Sequence, residues 1–146
     1  MKVMRAVAVV AVVSSYTGEA SAADGEKRFA DTCEACHQAG GVGAPGLAPP
    51  LVSPVIANAA NKQKDYPAMV VINGLSGSIT LAGGGTMASA MPPQQGLSDD
   101  EIAAVVNYVF GLNGAKTVVN SADIARVRSQ STGHDELKRI RSGLMR

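Results

Sequence analysis

The chain has 146 residues, 46% of them hydrophobic, with 13 Lys and Arg against 12 Asp and Glu. That length supports one domain with a modest core, and the hydrophobic share excludes a disordered chain. A net charge of +1 gives no electrostatic case for a nucleic-acid partner, and with two Phe, three Tyr and no Trp the core is short of the large rings that usually anchor a small domain.

At the N-terminus, Lys2 and Arg5 precede an apolar run from Ala6 to Val13, and Ala20-Ser21-Ala22 has the form of an A-x-A cleavage site. This three-part pattern reads as a signal peptide over residues 1–22. The alternatives are an N-terminal membrane anchor or a buried helix, but the run is too short to span a bilayer. On the signal-peptide reading the mature chain starts near Ala23, is exported and soluble, and lies in a bacterial periplasm. No later segment is long and apolar enough to cross a membrane. The remaining charge is uneven. Residues 23–114 carry Lys27, Arg28, Lys62 and Lys64 against eight acidic residues, and residues 115–146 carry seven basic against three acidic. Such asymmetry hints at docking.

Ala23 to Cys36 reads as a helix, with Asp24 as N-cap and Lys27 and Arg28 facing out. Gly40 to Pro54 has the Gly, Pro and Ala content of a loop. Residues 55–61 form a candidate short helix. Tyr66 to Asn73 reads as another, with Pro67 in its first turn and Gly74 just past its end. Ser76 to Pro93 reads as a Gly-rich loop. Its Gly83-Gly84-Gly85 run lacks the Gly-Lys-Ser/Thr of a phosphate cradle. Ser98 to Gly111 is the clearest helix: Ser98 and Glu101 make a capping box, and Ile102, Val105, Val106 and Val109 make an apolar stripe. Residues 23–114 then constitute one domain. Residues 115–146 read as a separate basic extension, with candidate helices at Asp123–Arg128 and Asp135–Ile140. No strand pattern and no internal repeat stand out.

Cys33-Glu34-Ala35-Cys36-His37 has the C-x-x-C-H form of c-type haem attachment. On a helix, positions three and four apart share one face. Cys33 and Cys36 can therefore bond two edges of one porphyrin while His37 addresses its iron. Three rival readings exist. A disulfide between consecutive turns closes almost no loop and stabilises little. A thioredoxin-like redox pair lacks its βαβ context. A structural zinc site wants four ligands at finger spacing, which two Cys and two distant His do not supply. One covalently bound haem c per chain is the expectation.

Methionine opposite histidine suits electron transfer. Met1 and Met4 leave with the signal peptide, Met69 reads as core, and Met145 is near the chain end. Met91, followed by Pro92 and Pro93, is the preferred sixth ligand, with Met87 the alternative. Either could be a loop Met that merely packs. His134 is a minor bis-His candidate and otherwise a solvated residue.

With these motifs in order, residues 24–112 resemble a class I c-type cytochrome, the small mono-haem, His/Met-ligated family. Gly25 and Phe29 match its N-terminal helix, and Tyr108 matches the aromatic packing across that Gly. Asn73-Gly74 and Gly77 match its N-G-x-x-G stretch. Met91-Pro92 and the run from Leu97 to Val109 match its axial-Met loop and last helix. The resemblance implies an all-α cytochrome c fold of three to five helices with long Gly/Pro-rich loops. It also implies crossed terminal helices and a haem edge exposed near the thioether bonds. Pro49 and Leu51 match the loop residues behind the proximal His, where the Pro carbonyl accepts the His37 ring N–H. The implied cofactor-binding set is Cys33, Cys36, His37, Pro49, Leu51 and Met91, with His37 and Met91 as iron ligands. The absence of Trp removes a common propionate partner, and the extension beyond Leu112 departs from the pattern.

The function this implies is one-electron transfer, with no catalytic residues and no enzyme activity of the chain by itself. The partners expected are redox proteins, a dehydrogenase or a terminal oxidase. An alternative is a dedicated haem subunit of a periplasmic oxidoreductase (sulfite, alcohol or aldehyde oxidation), held through residues 115–146. A third is a ligand-binding haem sensor.

Overall fold

The computed structural model describes residues 22–146. The signal peptide expected over residues 1–22 lies, apart from Ala22, outside the described residues. In chain order the elements are α1 (Ala22–Thr32), the one-turn α2 (Glu34–His37), a 3-10 turn (Ala39–Gly41), α3 (Pro54–Lys62) and α4 (Tyr66–Asn73). Then come strands β1 (Leu75–Thr80) and β2 (Thr86–Met91), α5 (Asp99–Leu112), α6 (Ser121–Arg128) and α7 (His134–Leu144). The fold is mostly helical, in keeping with the family resemblance. It has more helices among the described residues than the three to five expected, because α6 and α7 both come from beyond residue 114.

The first helix is interrupted where one continuous helix was expected. Cys33 turns partly out of line (φ −108°, ψ −30°), yet its N–H still donates to Phe29 O at 2.8 Å and its carbonyl accepts from His37 N at 2.9 Å. Asp24 does not cap α1 but sits in its first turn, where a carboxylate complements the helix dipole. In α5 the capping box is complete: Ser98 Oγ accepts from Glu101 N at 3.3 Å, and Glu101 Oε2 accepts from Ser98 N at 2.8 Å. Glu101 also pairs with Arg28 of α1.

Helices α1 and α5 cross at Gly25. A Cβ there would lie 2.3 Å from Ala104 O and 3.0 Å from Tyr108 Cβ, so only hydrogen fits between the backbones. One turn on, the Phe29 and Tyr108 rings meet at 5.3 Å between centroids, tilted by 49°, a favoured aromatic geometry. Phe29, Ile102, Val106 and Phe110 are fully buried around this crossing.

Residues 76–93, expected as loop, form most of an antiparallel hairpin. Leu75 pairs with Met91, Ile79 with Met87 and Thr80 with Thr86, around the Leu81–Gly85 turn. Small Ser, Ala and Gly residues give these strands little intrinsic β preference. Their pairing is held to the domain by the buried Leu75, Ile79 and Met87.

The extension is packed onto the domain. Ile124, Val127, Leu137 and Leu144 are buried and join the same apolar cluster as Phe29 and Ile102. Asn107 holds both backbone groups of Val119, donating to its carbonyl and accepting from its N–H, each at 2.9 Å. Thr117 Oγ1 donates to Ala60 O at 2.8 Å. Part of the basic charge is matched against the domain: Arg126 grips Asp65 through two bonds of 2.8 and 3.1 Å, and Arg128 Nε donates to Asp99 at 2.8 Å. Lys64 in turn pairs with Asp123 of α6 at 2.9 Å, and that hydrogen bond is the main cause holding the Asp123 carboxyl below its usual range.

The Gly25 contact admits no side chain, so Gly25→Ala is expected to lower unfolding stability by about 1–3 kcal/mol through overpacking, measured by urea denaturation. Exposed ion pairs contribute little, so apolar burial must hold the extension. Leu137→Ala is expected to cost about 2–5 kcal/mol, and Arg126→Gln markedly less in the same titration.

Candidate functional site

An apolar cavity of about 250 Å³ opens between α2, α4, the hairpin and α5. Cys33, Cys36, His37, Pro49, Leu51 and Met91 all line it, although they come from separate stretches of chain. Val70, Val71, Val105, Val106 and Val109 supply much of the remaining wall.

His37 closes α2 and is 7% exposed. Its Nδ1 lies 3.1 Å from Pro49 O. A carbonyl can only accept, so Nδ1 carries the proton and the Nε2 lone pair is left for a metal. Burial, partly opposed by that bond, pushes the His37 pKa down, which favours the neutral, ligating form.

The loop that delivers Pro49 is tied back on α2 and on α5. Gly43 N donates to His37 O at 2.8 Å, and Leu51 N donates to Gly41 O at 2.8 Å. At the end of α5, Asn113 Oδ1 accepts from Ser53 N and Asn113 Nδ2 donates to Leu51 O, each at 2.9 Å. Asn113 thus holds in register the segment carrying both Pro49 and Leu51. It escaped sequence reasoning because its partners lie some sixty positions away, and an Asn just after a helix reads as an ordinary C-terminal stop.

Both thiols are free. Burial is the main cause that pushes Cys33 up to about 11. A reactive redox pair needs a depressed thiol pKa, so the shift runs against the thioredoxin-like alternative. Among the described residues, no three His, Cys, Asp or Glu cluster to hold a bare metal ion.

The methionines separate. Met91 ends β2 and faces the cavity, whereas Met87 is buried in the core, does not line the cavity, and is paired with Ile79. Gly74 makes room behind Met91: at φ 71° it brings its backbone so close that a Cβ would lie 2.7 Å from Met91 O. Gln94 N then donates to Val71 O at 2.8 Å, anchoring the segment after Pro92 and Pro93 to α4. Met69 is core, and Met145 packs against the core at its edge. His134 lies outside the cavity, with Nδ1 2.6 Å from Ser76 Oγ. Among the lining residues outside the expected set are Tyr66 and Arg141.

A profile of the cytochrome c family matches residues 22–113. Over 91 residues the chain is 40% identical to each of two proteins named cytochrome c-552, both from Thermus thermophilus. The alignments cover 60% of this chain and 66% and 58% of those relatives, less than two thirds of either one's length.

Asn113→Ala leaves the Ser53 N–H and the Leu51 carbonyl without their partner. The expected loss is about 1–3 kcal/mol, the cost of stranding part-buried polar groups, read by thermal unfolding. Faster hydrogen exchange at Leu51 and Ser53 than at α5 amides is expected alongside.

Proposed function

The chain belongs to the cytochrome c family, and from that premise we propose that it is a periplasmic one-electron carrier holding a single haem c. The electron-carrier role is common to the family. The observation that carries the finer reading is the convergence of two free thiols, an oriented imidazole and one methionine on a single apolar cavity.

Each residue has a definite task in this reading. Cys33 and Cys36 would form the thioether links to the haem. His37, its ring held by Pro49 O, and Met91 would hold the iron, and Leu51 would pack beside it. The valines keep water out. Bound there, the haem supplies an Fe(II)/Fe(III) couple whose chemistry is the cofactor's own. With a thioether and an imidazole both held to the iron, the reduced state would be favoured and the chain would leave little room for a substrate at the metal. One C-x-x-C-H run accounts for one haem per chain. Export is supported by the pattern of Lys2, Arg5, the Ala6–Val13 run and Ala20-Ser21-Ala22. No helix among the described residues is long and apolar enough to cross a membrane.

A free carrier serving a dehydrogenase or an oxidase is favoured over a dedicated enzyme subunit. Arg126 and Arg128 already pair with Asp65 and Asp99 of the same chain, which reduces the charge the extension can offer to a partner.

A pyridine haemochrome spectrum tests thioether attachment, with one haem per chain expected. The Met–iron charge-transfer band of the oxidised protein, near the infrared edge, is expected to vanish in Met91→Leu and to persist in Met87→Leu. The opposite pattern would transfer the ligand role to Met87. Ready carbon monoxide binding by the reduced wild type at neutral pH would instead favour the sensor reading.

A further inference from the structure

Arg141 is the cavity's anomaly. It belongs to α7, well beyond the 22–113 family match. It is 8% exposed, lines the cavity, and is the one permanently charged residue in that lining among the described residues. Its position follows from helix spacing. Leu137, Arg141 and Leu144 fall on one face of α7, and that face is the buried one. An apolar side chain would be the ordinary choice there.

A buried guanidinium needs an anion. It has five N–H donors to satisfy, and removing its charge from water is costly unless it is paired. Among the described residues none of the ion pairs involves Arg141. Its bond to the backbone is a long one, from Nε to Thr80 O at 3.4 Å. The acids of its own helix are occupied, Asp135 with Lys138 and Glu136 with Arg139. The elements packed on α7 offer no carboxylate either. β1 has no titratable side chain, α4 contributes the Tyr66 phenol, and Lys62 of α3 donates to Arg146 O. Tyr66 is 2% exposed and also lines the cavity. Arg141 beside it pulls the phenol's pKa down against the larger upward push of burial. The cavity therefore has a polar corner, a guanidinium and a phenol, set in otherwise apolar walls.

We propose that Arg141 pairs with a propionate carboxylate of the haem, so that the segment beyond the family match contributes a residue to the cofactor site. The inference rests on the haem c reading above. The haem's own peripheral anions are its propionates, and a planar guanidinium matches a carboxylate with two parallel N–H donors. Tyr66 is placed to donate its hydroxyl to the same group. In this arrangement α7 contributes a wall residue to the same pocket that the C-x-x-C-H helix lines. The extension then acts on the haem within its own chain, and no partner protein is needed to account for Arg141.

The direct test needs no variant. In the reduced, diamagnetic wild-type protein, nuclear Overhauser effects are expected between a propionate methylene and the Arg141 side-chain N–H or δ protons. Propionate methylenes that show contacts only to other side chains would overturn the proposal, even with the haem attached by pyridine haemochrome. Absence of attached haem would overturn this proposal and the function together. The charge is tested by a pair of variants. Arg141→Gln leaves a propionate uncompensated, which favours ferric iron, so the midpoint potential is expected to fall while the Met–iron band persists. Arg141→Lys keeps the charge and is expected to restore most of the wild-type potential. A potential for Arg141→Gln equal to that of the wild type, with haem and band intact, would also sink the idea.

Discussion

The approach of α1 to α5 at Gly25 sets the position of everything around the cavity. Because no Cβ stands between Gly25 and Ala104 O, the two helices come close enough for Phe29 to reach Tyr108. Cys33 and His37 lie one and two turns beyond Phe29, so the crossing fixes where the thiols and the imidazole are delivered. The far end of α5 completes the arrangement. Asn113 holds the loop that carries Pro49, and Pro49 orients the ring of His37. One helix thus positions the attachment motif at one end and, at the other, the carbonyl that aims its ligand.

Charge in this chain is arranged for self-docking. The acidic residues of 23–114 and the basic residues of 115–146 meet across α6, through Asp65 with Arg126 and Asp99 with Arg128. Pairs of this exposure steer more than they stabilise. The adhesion comes from Ile124, Val127, Leu137 and Leu144, all buried against the domain. An asymmetry that suggests a foreign partner when read along the sequence is satisfied in part within the fold.

Legibility in the sequence followed the range of the interactions. Tyr66–Asn73 and the capped helix after Ser98 were readable because Pro67, Gly74, Ser98 and Glu101 act within a turn of themselves. The spacing of Cys33, Cys36 and His37 is likewise local. The hairpin was not readable, since its small residues pair only because Ile79 and Met87 find a core. Met87 and Met91 lie four positions apart on one face of β2, and their different places along the strand, opposite Ile79 and Leu75, separate the core position from the cavity position. In the sequence Arg141 is one of seven basic residues of the extension, although its place between Leu137 and Leu144 puts it on an apolar face. That clue becomes visible only once α7 is known to be docked by that face.

The placement of Arg141 has a consequence for the order of assembly. Residues 33–37 precede Arg141 by roughly a hundred positions, so a chain delivered N-terminus first presents the attachment motif before α7. Until α7 docks, the cavity lacks its guanidinium corner. The attachment motif is therefore presented first and α7 last, a sequence of events suited to inserting a rigid, planar body before the chain wraps around it.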